Sequence, residues 1–547
     1  MDTIPAVSKT TVLIIGGGPT GLTTALLLAQ HGLRSIIVER HIGRTGQPKA
    51  HAINPRSLEI FRQIGLDTAH LRRQGVSPED GDTVRFVVSI SGRELGTLPY
   101  ERQGEGAMEI TPEPLFNIPQ PELEDFLLAA VVENTMISYY RGMQWESCHE
   151  PEGNGLSLAS KVTERATGHS KVIESAYILD CGGANSRARQ QLEIPFLPLP
   201  EYIQNEVHHV SIHMRADLTK FRPGTLWWTV SPEIEGTFIC YNRASDWVFV
   251  AYYDPKVTSQ EVFSEDYCRD IIDKAIGEKV SYDVLSITAW STWPRTAKFY
   301  QSQRFPHAFV VGDAAHAFPP TGGLGVNTGI ADAQNLAWKI NAVERSWVSD
   351  DIFAGYSAER RPVAVYNAHQ SVKNQVKLHS LKAALRDPPD LESPDWAGWK
   401  KRLDGELQNN IEHFDSINLQ IGYVYGADEN TIGPCNCYIP RGVPGARLPH
   451  TWISYGNDQL SVLDLVDGKS FVLFISGELD SLSPYLTIPL RTLRLGDDFG
   501  VSEKSWLDTV GLSIQGVGLL VRPDQHILGH VRSYEDVETL LGSLLRP

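Results

Sequence analysis

The sequence predicts a mixed α/β chain, and three observations carry that prediction. An apolar β-branched run near the start leads straight into a Gly-x-Gly-x-x-Gly turn. A second strand–loop–helix unit, rich in Gly and Pro, stands far downstream at Phe309–Ile340. Between the two, residues 196–294 alternate in a β manner.

The first unit is read in order. Thr11–Ile15 (TVLII) is a buried-type strand, and Gly16-Gly17-Gly18-Pro19-Thr20-Gly21 follows at once. Leu22, Ala25, Leu26 and Ala29 then recur with helical spacing, and Gly32 supplies the stop. A second strand, Ser35–Val38, ends in Glu39. Strand, glycine turn, helix, strand and acid together predict a Rossmann-type site for an ADP-containing dinucleotide: the glycines admit a pyrophosphate at the helix N-terminus, and the acid accepts from a ribose diol. A carboxylate there repels a 2′-phosphate, so FAD or NAD is expected rather than NADP.

In the second unit, Val310 and Val311 end in Gly312-Asp313, a loop carries Pro319, Pro320, Gly322, Gly323 and Gly325, and a long helical pattern opens near Asn327. That order aims backbone N–H groups and a positive helix end at one point beside a carboxylate. A flavin requires such a point, because its reduced ring is negative at the N1–O2 edge and its ribityl hydroxyls seek an acceptor such as Asp313. Alone, a Gly-rich loop before a helix is also the pattern of an ordinary turn; paired with the first unit it points to a flavin.

Composition bounds the rest. The chain has 547 residues, enough for two or three domains. A formal charge of −17 argues against nucleic acid or an anionic membrane surface as the partner. The six cysteines are scattered; Cys435 and Cys437 form CxC, which is neither a redox CxxC nor, alone, a zinc site, so no metal is expected. No run approaches the roughly 20 apolar residues needed to span a bilayer, and Thr11–Ile15 runs into glycines as no signal peptide does. A soluble cytoplasmic protein is expected.

On these residues the chain resembles the class A, single-component FAD-dependent aromatic hydroxylases, and within them the phenol and 2,4-dichlorophenol hydroxylases, whose chains end in a thioredoxin-like domain. The resemblance rests on the opening fingerprint with Glu39-Arg40, on Lys49–Leu66 (KAHAINPRSLEIFRQIGL), Ile118–Leu127, Leu179–Arg189 (LDCGGANSRAR), the Gly312-Asp313 segment and Pro444–Trp452. It implies tightly bound, non-covalent FAD, with NADPH or NADH as transient co-substrate. Gly16, Gly18 and Gly21 would touch the pyrophosphate and Glu39 the ribose. Arg40, Lys49 and Gln120 would lie along the cofactor, Asp313 by the ribityl chain and Pro320 by the ring. Gly325, Val326 and Asn327 would offer backbone donors to the isoalloxazine edge. Two positions depart from the family: Lys49 stands where Arg is usual, and Gly182 where an Asp is usual, with Asp180 two residues earlier. Asp180 or Arg189 is the candidate to substitute in part for the missing carboxylate.

The implied architecture is a discontinuous FAD-binding domain (1–195 and 295–375), an inserted substrate-binding β-sheet domain (196–294) roofing the substrate, a helical connection (376–430) and a thioredoxin-like C-terminal domain (431–547). Lacking CxxC, the last domain is expected to pack or to stabilise a homodimer rather than do redox chemistry. The implied reaction is hydroxylation of a small phenolic or aromatic molecule with O₂ through a flavin C4a-hydroperoxide, as in secondary metabolism. His51 is the candidate acid–base residue, although a lone histidine also serves as a packed core residue; His316 is expected to pack beside the flavin loop. In the strand Trp247–Tyr253 side chains alternate faces, and the parity stays open, so Trp247 and Tyr252 are both candidate substrate liners. The cavity reads as aromatic and uncharged, favouring a neutral phenol over a benzoate. The alternatives are Baeyer–Villiger insertion or epoxidation by the same flavin, an FAD oxidase or dehydrogenase without oxygen insertion, and a non-enzymatic flavin-binding scaffold.

Overall fold

The structure, a computed structural model, describes residues 5, 7–43, 50–151, 157–198, 206–230, 234–427, 433–479 and 488–545. Its first sheet is seven-stranded, with Val7–Ile15 near the middle. That strand pairs in parallel with Ser35–Glu39 on one side and Ser170–Asp180 on the other. Ile137–Arg141 extends the sheet beyond Ser35–Glu39. Val12, Leu13 and Ile14 are wholly buried, as a parallel strand covered on both faces requires.

The strand Ser170–Asp180 joins the two glycine-rich units. Its first half pairs antiparallel with Leu158–Glu164, while Ile178–Asp180 pair in parallel with Ala308–Val310. The downstream unit therefore sits in the same sheet as the opening fingerprint. The helices that follow each unit, Pro19–Gln30 and Gly325–Glu344, pack on one another.

The second sheet is also seven-stranded. Its order is Tyr282–Thr292, Val207–Ala216, Asp246–Tyr253, Glu235–Asn242, Leu226–Val230, Thr83–Val87, Glu94–Pro99. The last two strands come from within the segment 1–195, so residues 196–294 alone do not make this sheet: Leu226–Val230 completes its hydrogen bonding on the parallel strand Thr83–Val87. On one face Met214, Phe238, Trp247 and Phe249 form an apolar cluster with Cys268 and Ile272 of the helix Glu265–Ile276. Ser264 caps that helix at its start, and Gly277 ends it in the left-handed conformation. The opposite face carries Trp228, Tyr241, Val248, Val250 and Tyr252.

The helix Phe353–Leu385 connects the two sheets, and Leu378, Leu381 and Leu385 reach the cluster of Phe86 and Trp228. At the C-terminus a four-stranded sheet runs Leu490–Arg494, Phe471–Ser476, Val517–Val521, Ile527–Val531. The first two are parallel and the other pairs antiparallel, followed by the helix Tyr534–Leu545. That order and those directions make a thioredoxin-like sheet. Among the described residues no helix is long and apolar enough to cross a membrane.

Candidate active site

The three fingerprint glycines have separate reasons to be glycine. Gly16 has φ +104°, and a Cβ there would meet the Cys181 carbonyl oxygen at 2.4 Å. A Cβ on Gly21 would meet the Gly16 carbonyl oxygen at 2.1 Å. Among the described residues, a Cβ on Gly18 would meet no atom within 4 Å. The outer two glycines thus allow close packing, while Gly18 opens toward empty space at the start of the helix Pro19–Gln30, which has no side-chain cap. Glu39 accepts from Gly17 N and His41 N, each at 2.8 Å, so its carboxylate is fixed at the turn with lone pairs to spare for hydroxyls. Arg40 is exposed and bonds His41, 3.0 Å away.

The second unit closes on the first. A Cβ on Gly329 would meet Thr20 Oγ1 at 2.7 Å and the Gly312 Cα at 2.9 Å, so the two helices and the Gly312 turn touch. Asp313 is exposed, and its Oδ1 would lie 3.7 Å from a Cβ on Gly325. The helix Gly325–Glu344 starts without a side-chain cap, leaving the N–H groups of Gly325, Val326 and Asn327 outside the helical ladder. Pro320 is exposed at the loop that precedes it. The side chain of Asn327 turns inward: its Oδ1 accepts from Asn54 N (2.9 Å) and Ser57 Oγ (2.7 Å), and its Nδ2 donates to Ala52 O (2.9 Å) and Gly323 O (2.8 Å). It pins the His51 loop to the start of this helix. Gln120, half-buried at the head of the helix Gln120–Glu133, donates to Glu124 at 2.7 Å and is tied by its backbone to Ala50 O.

These groups fit FAD: two uncapped helix starts, a glycine facing open space, and carboxylates at Glu39 and Asp313. Lys49 lies outside the described residues. His316 is wholly buried, 2.6 Å from Asp332, which also accepts from Arg360 (2.7 Å) and Gly312 N (3.3 Å). It supports the Gly312 turn from behind and stacks on Phe318.

At the Gly182 position the structure gives the reason for the departure. Asp180 is fully buried and accepts from Gly182 N (2.9 Å) and Ser186 Oγ (2.6 Å). A Cβ at 182 would meet Asp180 Oδ1 at 2.8 Å. Burial pushes the Asp180 carboxyl up to about 6, only partly countered by these donors. Asp180 is therefore spent on holding the turn, and Arg189 is spent on Ile194 O and the Phe196 ring.

His51 sits where the loop meets the second sheet. Its ring lies 5.7 Å from that of Tyr100, stacked, and 6.1 Å from that of Tyr241, edge-on. Its Nδ1 is 3.0 Å from Asn117 Oδ1. Burial holds its pKa below the ordinary imidazole value, with the Asn117 contact opposing. Tyr241 lies on the same sheet face as Val248 and Val250, so that face is the inner one. Tyr252 is on it, over which Lys382 stands at 4.0 Å. Trp247 is not: it packs with Phe238 in the outer cluster, under the helix Glu265–Ile276. Sequence reading missed His209, Ser211 and His213, which alternate onto the inner face opposite Tyr252, Val250 and Val248. Their period-two spacing was the available signal. Trp290 stacks on His209 at 4.2 Å and donates to Ser211 at 2.8 Å. Burial lowers the His209 pKa to about 3. Among the described residues no cluster of three or more His, Cys, Asp or Glu could hold a metal ion.

The model of the FAD binding domain family matches residues 9–371. FAD-dependent monooxygenase apdD of Emericella nidulans is 29% identical over 97% of this chain and 89% of its own. The 2,4-dichlorophenol 6-monooxygenase of Cupriavidus pinatubonensis is 27% identical over 95% of this chain and 92% of its own. The crystal structure of the flavin-dependent monooxygenase PieE, solved with FAD and substrate, superimposes with a TM-score of 0.88 at 25% identity, covering 98% of this chain and 99% of that one. With the two glycine units closed on one another in a cradle that fits FAD, the chain belongs to the FAD binding domain family and is an FAD-dependent monooxygenase of the class A aromatic hydroxylase type.

Proposed function

We propose that the chain hydroxylates an uncharged phenolic ring held between His51 and the inner face of the second sheet. The observation that carries this reading is the placement of His51: its loop is clamped to the flavin-binding helix by Asn327, and its ring faces Tyr241 on that sheet. FAD, bound here and reduced by NADPH or NADH, supplies the activation of O₂.

The chain's own residues do the remaining work. Gly18 and the first helix start receive the pyrophosphate, Asp313 accepts from the ribityl hydroxyls, and the N–H groups of Gly325, Val326 and Asn327 donate to the ring edge. His51, kept neutral by burial, takes the phenol proton, because the phenolate is the better carbon nucleophile. Trp228, Val248, Val250 and Tyr252 exclude water and orient the ring. A neutral substrate suits this face: its cation Lys382 is already paired with Glu235 at 2.6 Å, leaving it poorly placed to bind a substrate carboxylate.

The reading is tested with a panel of phenols, benzoates and ketones, measuring NADPH oxidation, hydroxylated product and H₂O₂. The expected result is that a neutral phenol accelerates NADPH oxidation with product formed in step. A ketone converted to an ester, a benzoate preferred over phenols, or H₂O₂ as the sole product would each overturn it.

A further inference from the structure

We propose that Asn117 and Gln103 are positioning residues that hold His51 with its proton on Nδ1 and its lone pair on Nε2, making Nε2 the proton acceptor of the site. This rests on the assignment of His51 as the base.

Two backbone carbonyls, which can only accept, fix the order of donors. Gln103 has one side-chain atom 2.8 Å from the Gly81 carbonyl and 2.9 Å from the Tyr100 carbonyl. That atom must be the amide nitrogen, with both protons spent. Gln103 Oε1 is then the atom 3.2 Å from Asn117, so Asn117 presents its NH₂ there. Asn117 Oδ1 remains, and it faces His51 Nδ1 at 3.0 Å. An oxygen with no proton demands an N–H opposite it. Reversing any member would set two carbonyl oxygens or two NH₂ groups against each other, so the order of donors is dictated by the main chain.

Packing keeps the order in place. Asn117 and Gln103 are both buried, and a Cβ on Gly81 would meet Asn117 Nδ2 at 3.3 Å and Gln103 Oε1 at 3.5 Å. The backbone fixes the other end: Ala52–Ile53 pair with Phe116–Asn117, and Ile118 N donates to His51 O at 2.8 Å. The titratable neighbours of the ring do not compete. Tyr100 and Tyr241 are held protonated by burial, and Glu101 turns to Ser416 and Gln420. An isolated imidazole carries its proton mostly on Nε2, which would point a donor where an acceptor is needed; the bond to Asn117 reverses that preference. In the reaction the phenol O–H bond breaks, its proton joins Nε2, and the Nδ1–H bond to Asn117 persists through imidazolium and back.

The test uses FAD-loaded enzyme, with the flavin-to-protein ratio reporting the fold. Asn117→Leu is expected to lose about tenfold or more in kcat for hydroxylation with little change in KM. Asn117→Asp keeps an acceptor toward His51 Nδ1 and adds a charge, at the cost of a carboxylate oxygen facing Gln103 Oε1, so the acid limb of the pH profile moves up by about one unit or more while some stability is lost. In wild-type enzyme labelled with ¹⁵N-histidine, and assigned by loss of the signal in His51→Gln, Nδ1 should be protonated and Nε2 not. A proton on Nε2, an Asn117→Asp limb that stays in place, or an Asn117→Leu variant with wild-type coupling would each overturn the proposal. If His51→Ala itself leaves the pH profile unchanged, the base assignment fails; if His51→Ala removes the limb while the Asn117 variants leave it, only the positioning role fails.

Discussion

Two buried polar regions, one between the helix Gly325–Glu344 and the C-terminal domain and the other on the inner face of the second sheet, are built in opposite ways. Toward the C-terminal domain the charges are paired. Glu59 accepts from Arg447 at 2.8 Å and through a second, shorter bond, and Arg56 donates to Gln525 (2.7 Å), Gln334 (2.6 Å) and Asp524 O (2.7 Å). Arg522 bridges Glu359 (2.6 Å) and Asp524 (2.6 Å), and Trp338 donates to Asp524 at 3.1 Å. On the inner face of the second sheet, both ring nitrogens of His209 and Trp228 Nε1 have no hydrogen-bond partner among the described residues, although both residues are buried. An unpaired buried polar atom costs about 1–3 kcal/mol, a cost that a bound polar ligand removes. A paired network has little left to offer a ligand. The contrast is what the proposed placement of the substrate on the sheet face requires, and it gives the C-terminal interface a cohesive part, in keeping with a thioredoxin-like domain that lacks CxxC.

Breaking the paired side should cost the most. Arg522→Ala removes the cation that bridges Glu359 and Asp524, leaving Lys339 on the first (2.8 Å) and Trp338 on the second (3.1 Å), and about 3 kcal/mol of stability should disappear; thermal unfolding of the FAD-loaded protein reads this, and an unchanged midpoint would show the network to be incidental.

Glycine substitutions act at the cradle, where space for a ligand and space for packing are separable. Gly21→Ala drives a Cβ into the Gly16 carbonyl and should destabilise the apoprotein. Gly18→Ala touches no atom of the described residues, so apoprotein unfolding should be unchanged while FAD affinity falls about tenfold, or about 1.4 kcal/mol. Equal loss of apoprotein stability in both would deny Gly18 its ligand-facing role.

The smallest effect separates the two sheet faces. Tyr252→Ala should raise the KM for a phenol about three- to tenfold, about 1 kcal/mol, whereas Trp247→Phe should lower stability and leave KM alone. The reverse pattern in steady-state kinetics would exchange the faces.

What was legible in the sequence follows from how local each constraint is. The fingerprint could be read because the left-handed φ of Gly16 and the contact of Gly21 with the Gly16 carbonyl lie within one turn, although the Cys181 carbonyl that also crowds Gly16 does not; Asp313 could be read because its helix follows directly. The parity of the strand Asp246–Tyr253 could not. The helix Glu265–Ile276 covers its outer face, so Trp247 and Phe249 are as buried as Val248 and Val250 and no polar side marks solvent. Asn117 and Gln103 were invisible as isolated polar residues, since their meaning depends on carbonyls at Gly81 and Tyr100. The strands Thr83–Val87 and Glu94–Pro99 were missed as roof strands because their partner is far along the chain. At Gly182 the departure was plain, but only the packing of Asp180 explains it.

One FAD, cradled by the two glycine units, activates O₂ for insertion into an aromatic ring. The most direct measurement is mass spectrometry of the product formed by FAD-loaded enzyme with NADPH, a turned-over phenol and ¹⁸O₂. One atom of ¹⁸O per product is the result this account requires. Product oxygen drawn from water, or oxidised product containing no new oxygen, would contradict it.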